Sequence, residues 1–162
     1  MPTIRLITKI KAKQNIVFDL SRSIDLHLIS TEETNEKAIA GRTSGLIELG
    51  ETVTWRAKHL GVYQNFTSKI IGCSKSDYFA DEMLSGAFKS FKHEHFFTCN
   101  NEETILEDIM VYKSPLGLLG KFVDFLFLKN YMTGFLKKRN ETIKKYAESE
   151  KGENLLSQYK SS

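Results

Sequence analysis

The chain has 162 residues, 41% hydrophobic and 27% charged, with a formal net charge of +3. That composition suits a folded domain with a substantial core and argues against a disordered chain. The charge is too slight and scattered for a nucleic-acid surface, no apolar run is long enough for stable membrane insertion, and the N-terminus lacks a signal-peptide core, so a cytoplasmic location is expected. Cys73 and Cys99 lack zinc or redox spacing and read as reduced thiols. "TIRLITKIK" alternates apolar and polar residues and predicts a first strand. "KQNIVFDLSRSIDLHLIS" has helical spacings, with Ser21 or Ser23 as a cap between two short helices. After a polar loop, "KAIAGRTSG", "ETVTWRAKHLG", "VYQNFTSKIIG", "SDYFADEML", "FKSFKHEHFF" and "ETILEDIMVY" read as six strands joined by short turns, an antiparallel meander. Asn100-Asn101 suits the last turn, because asparagine tolerates positive φ.

Pro115 closes the last strand, and a long helix begins near Leu116 to Leu118. Leu119, Phe122, Leu126, Leu136 and Ile143 help to form its apolar stripe. Its first part, "LGLLGKFVDFLFL", is too short to span a membrane and reads as a core helix. Gly117 and Gly120 are expected to let it approach the sheet edge closely. The reading is a single domain over residues 1–150, with a frayed tail at 151–162. An antiparallel sheet with one buried face needs a cover, and the long helix supplies it.

The inward strand faces carry polar groups among aromatics. They offer Trp55 and His59; Phe79, Asp81 and Met83; and Phe91, His93, His95 and Phe97. In the last strand either Asp108 with Met110 and Tyr112, or Glu107 with Ile109 and Val111, faces inward; Met110 and Tyr112 better suit a cavity wall. Phe122 and Leu126 face these strands from the helix. Buried polar groups must pair with each other, with water or with a ligand. His93 or His95 with Asp81 or Asp108 is the natural pairing. Three explanations remain open: an internal hydrogen-bond network, recognition of the polar end of a ligand, or general acid–base catalysis by a histidine with an aspartate. His93 and His95 are also metal-ligand candidates, with His59 or Asp108 as a third, but the His-x-His spacing specifies little and no metal or cofactor is expected. His27, near a helix C-terminus, reads as a partner of the helix dipole, with a cavity-rim position as the functional alternative.

The order of elements resembles the helix-grip fold of the START-like (SRPBCC) superfamily over about residues 3 to 148. The segments "RSIDLH", "GLIELGETVTWRAKHLG", "DEMLSGAFKSFKHEHFF" and "LEDIMVYKSPLGLLG" look like those of a bacterial ligand-binding, polyketide cyclase-like subgroup, except that Ala87 stands where proline is common. The resemblance implies an α+β fold of about seven curved antiparallel strands wrapped on the C-terminal helix, with two short helices after the first strand. It also implies an internal cavity and an inward Asp108. The expected function is non-covalent binding of a hydrophobic or amphipathic small molecule. The expected site comprises Trp55, His59, Phe79, Asp81, Met83, Phe91, His93, His95, Asp108, Met110, Phe122 and Leu126. The alternative is a cyclase- or dehydrase-type enzyme using His93 or His95 with an aspartate such as Asp108; a third class is a regulator with a vestigial cavity.

Overall fold

The computed structural model describes residues 1–59, 61–114 and 127–160. Strand β1 (Thr3–Ile10) is followed by helices α1 (Gln14–Ser21) and α2 (Ile24–Ser30) and a 3₁₀ turn (Glu32–Thr34). Six strands follow: β2 (Lys37–Gly41), β3 (Thr52–His59), β4 (Val62–Ser74), β5 (Tyr78–Ser85), β6 (Ser90–Asn100) and β7 (Glu103–Lys113). Helices α3 (Lys129–Ala147) and α4 (Glu150–Lys160) end the chain. Ser23 separates the first two helices by accepting the Leu26 N–H at 3.1 Å, a side-chain cap.

The strands form one antiparallel sheet in the order β1-β7-β6-β5-β4-β3-β2. Consecutive strands pair from β2 to β7, and β1 returns to pair with β7 at the far edge. The β6–β7 turn uses Asn101 at φ +58°, as the asparagine pair predicts. Alternation on β7 buries Leu106, Asp108, Met110 and Tyr112 and leaves Ile105, Glu107, Ile109 and Val111 half-buried on the other face. Helix α3 lies on the inner face through Leu136, Arg139, Asn140 and Ile143, spaced to fall on one side of a helix. Phe18 of α1 packs edge-on against Phe79 and Phe97 at 5.9 and 5.4 Å, joining the short helices to the same core. Gly117, Gly120, Phe122 and Leu126 lie outside the described residues.

The expected frayed tail is instead helix α4. Leu156 is 7% exposed, and the Tyr159 hydroxyl donates to Asp25 Oδ2 at 2.7 Å. The short "NLLSQY" stretch buries an apolar side against α1, so its order comes from tertiary contact that local polarity does not reveal. Among the described residues, no helix is long and apolar enough to cross a membrane.

Gly41 ends β2 at φ +73°, and a Cβ there would sit 2.1 Å from the Thr52 carbonyl oxygen. Gly45 has a similar φ of +76° but open space around it. Gly41→Ala is therefore expected to lower stability by roughly 1–3 kcal/mol and Gly45→Ala by less, because only the first adds a clash to the backbone strain. Equal denaturation midpoints for the two variants would contradict the tight β2–β3 approach.

Candidate functional site

Strand alternation puts Phe91, His93, His95 and Phe97 on the inner face of β6, all four buried. The antiparallel register then chooses their neighbours. His93 stands opposite Asp81 of β5 and Met110 of β7, while His95 stands opposite Phe79 and Asp108. The rings of His93 and His95 are 3.9 Å apart, and Phe79 stacks on His95 at 4.0 Å.

Asp108 anchors this cluster. It is 0% exposed, and its Oδ1 accepts from His93 Nε2 at 3.0 Å and from His95 Nδ1 at 2.7 Å. Its Oδ2 accepts from Asn140 Nδ2 at 2.6 Å. Asn140 also donates to Thr8 Oγ1 at 3.0 Å, and Arg139 donates to the Asn140 side chain and to the Ser21 carbonyl. Burial pushes the His93 imidazole down to about 4, helped by His95 and opposed by Asp108. Burial works to raise Asp108, but the hydrogen bonds from both histidines outweigh it and hold the carboxyl well below the usual carboxylate range. The result is a buried carboxylate anion that receives hydrogen bonds from a neutral His93 and from His95.

A cavity of about 180 Å³ opens between this cluster, the inner sheet face and α3. Val53, Trp55, Phe66, Ile70, Phe91 and Phe135 supply much of its apolar wall. His95 Nε2 points away from Asp108 and lies 3.7 Å from Asp81 Oδ1, too far for a hydrogen bond. A second polar group faces the cavity from the β3 side. The His27 ring lies against Trp55 at 4.2 Å, and its Nε2 meets Glu36 Oε1 at 3.2 Å. His59 Nδ1 pairs with the Tyr131 hydroxyl at 2.9 Å. Burial lowers the His59 pKa, and Glu36 opposes the shift. Glu36 Oε2 is buried with no hydrogen-bond partner among the described residues.

Trp55, His59, Phe79, Asp81, Phe91, His93, His95 and Met110 all line the cavity. Two expected wall residues do not. Asp108 lies behind the histidines, where its carboxylate is enclosed by their N–H groups and Asn140. Met83 shares a face with Phe79 and Asp81 but packs on the cluster of Phe91, Met110 and Tyr112 instead. Phe122 and Leu126 are outside the described residues. His27, read first as a dipole partner, stands on the cavity wall.

Sequence reasoning passed over Glu36, Tyr131, Arg139 and Asn140. Glu36 sits in a polar loop, and Arg139 and Asn140 in the charged "KKRNETIKK" run. The available signal was spacing: Arg139 and Asn140 fall on the same helix face as Leu136 and Ile143.

No protein-family model matches the chain, and no match is found among curated proteins. Solved structures do match it. A START superfamily protein from Mycobacterium smegmatis superposes with a TM-score of 0.68 at 12% identity, over 88% of this chain and 97% of that one. The chain has the START-like helix-grip fold. A Thermus thermophilus protein gives 0.68 at 16% identity, with the same coverage of 88% and 97%. The major latex-like protein 151 of Panax ginseng gives 0.64 at 17%, covering 90% of this chain and 97% of its own. In this helix-grip protein the seven-stranded sheet, the two short helices after β1 and the C-terminal helix are arranged as the resemblance implies.

Proposed function

We propose that the protein binds a compact, mostly apolar small molecule without covalent chemistry, holding its polar groups at two ends of the cavity. The observation that carries this reading is a largely apolar cavity lined both by Glu36, whose buried Oε2 has no hydrogen-bond partner among the described residues, and by His95, whose Nε2 stands 3.7 Å from Asp81 Oδ1, beyond hydrogen-bond distance. A buried polar atom left unpaired costs roughly 1–3 kcal/mol, a cost that a suitable ligand atom removes. The size favours a compact ligand: 180 Å³ is below the roughly 300–1,000 Å³ of drug-sized sites and near the ~150 Å³ of a cavity that takes benzene. A ring-sized molecule with a hydrogen-bond donor toward Glu36 fits these limits better than an extended lipid chain.

Trp55 is the chain's only tryptophan and lies on the cavity wall, so its fluorescence reports occupancy. Titration with monocyclic and bicyclic aromatic phenols, amines and acids is expected to quench it saturably for part of the panel. Ala57→Phe adds a ring at a wall position that is 3% exposed and is expected to weaken the binding at least tenfold while circular dichroism stays unchanged. Ser68→Val is a milder filling change at the same wall. Absence of binding across the panel, together with no co-purified molecule in native mass spectrometry, rejects the reading. Parent-like binding by folded filled variants rejects it too.

A further inference from the structure

We propose that Asp81, His93 and His95 form a site for a divalent transition-metal ion at the polar end of the cavity. Each offers one ligand atom, and the three atoms lie within 4.8 Å of one another. Donors at tetrahedral angles, with bonds of about 2.0–2.1 Å, stand roughly 3.4 Å apart. The 3.7 Å between His95 Nε2 and Asp81 Oδ1 is thus too long for a hydrogen bond and close to the span that a shared ion closes. The third donor, from His93, lies within 4.8 Å of the other two.

The surroundings prepare the rings for this role. Asp108 accepts from His95 Nδ1 and His93 Nε2, so a ring that carries a single proton holds it on the nitrogen facing the carboxylate. The lone pairs are then on His95 Nε2 and His93 Nδ1. A carboxylate behind a ligating histidine fixes tautomer and ring orientation and raises ligand basicity. Asn140 holds the same carboxylate from its other oxygen. Neither His59 nor Asp108 takes the third ligand position, since His59 is not among the donors gathered within 4.8 Å and Asp108 accepts the ring N–H groups.

Charge points the same way. Arg139 Nη1 lies 3.7 Å from Asp108 Oδ1, so these buried opposite charges offset each other. Asp81, half-buried and on the wall, remains as the anion available to a cation. Two imidazoles and one carboxylate suit zinc, iron(II) or cobalt(II) rather than calcium or magnesium. Three protein donors leave a coordination position open toward the cavity. This inference rests on the ligand-binding reading above only in assigning that position to an oxygen of the bound molecule, such as a phenolate or carboxylate.

The test uses the full chain without a histidine tag, stripped with a chelator and titrated with Co²⁺. One equivalent is expected to bind and to give the visible bands of a low-coordinate cobalt centre, with Zn²⁺ displacing it. Paramagnetically shifted proton signals from two imidazole rings are expected alongside. Asp81→Asn is isosteric and is expected to weaken Co²⁺ binding at least tenfold and change the bands, whereas Glu82→Gln, on the exposed face of β5, leaves both unchanged. No stoichiometric binding, no shifted imidazole signals, or an unaltered spectrum in Asp81→Asn overturns the proposal. Trp55 quenching by the aromatic panel in the stripped protein separates the two readings. Quenching without cobalt binding rejects the metal site alone, and cobalt binding with no panel binding to either the stripped or the Zn²⁺-loaded protein, and no co-purified molecule, supports the metal site while rejecting the ligand reading.

Discussion

Asp108→Ala is expected to lower the thermal midpoint by about 10 °C or more. The carboxylate is fully buried and accepts from His93, His95 and Asn140, with the Arg139 guanidinium 3.7 Å away. Its removal leaves three donors without an acceptor and a buried cation without its counter-charge. Breaking one side of a buried ion pair costs about 3–5 kcal/mol, and stranded donors add to that. For a domain of this size each kcal/mol is worth about 2–4 °C. Asp108→Asn preserves the volume and one acceptor oxygen, so both histidine bonds can persist. Its amide group then faces the Asn140 amide, donor against donor, unless Asn140 turns over and gives up Arg139. The expected order of midpoints is parent, Asp108→Asn, Asp108→Ala. A midpoint for Asp108→Ala within a degree or two of the parent would falsify the buried network.

Deleting residues 150–162 is expected to cost about 3–5 kcal/mol, read as a lower denaturant midpoint. Helix α4 buries Leu156, and full burial of such a side chain is worth about 1.5–3 kcal/mol. Tyr159 donates to Asp25 Oδ2 at 2.7 Å and shares a 2.8 Å hydrogen bond with Ser23 Oγ. Ser23 is also the cap of α2, so the last helix braces the start of the second. Burial, opposed by the Ser23 hydrogen bond and joined by Asp25, pushes the Tyr159 hydroxyl up to about 12, so it remains a donor at ordinary pH. A hydrogen bond to a charged group is worth about 1.5–3 kcal/mol. Gly152 shows how closely the helix returns, since a Cβ there would lie 2.6 Å from the Tyr146 carbonyl oxygen. Tyr159→Phe keeps the ring and loses only the hydroxyl, so it is expected to show about a third to a half of the truncation's effect. A truncated chain as stable as the parent would restore the frayed-tail expectation.

The sequence alone determined the strands, the two short helices and the inner face of β6, while α4 was missed and the inward face of β7 stayed open. Alternation is a property of a single strand, so Phe91, His93, His95 and Phe97 are legible as one face before any partner is known. The strand order is legible for a similar reason: short turns between successive strands leave little choice but a meander. What meets across elements was decided only by the tertiary structure. Asp108 was the expected histidine partner with Asp81 as the alternative, and the register puts Asp108 behind the rings and Asp81 on the cavity wall. Arg139 and Asn140 read as solvated because charged neighbours surround them in sequence, while the packing of α3 turns their face inward. Glu36 entered the cavity from a polar loop for the same reason. Local pattern encodes which side of an element avoids water. Which distant polar groups share that dry side depends on register, bulges and helix placement, and those are set by the packing of the whole chain.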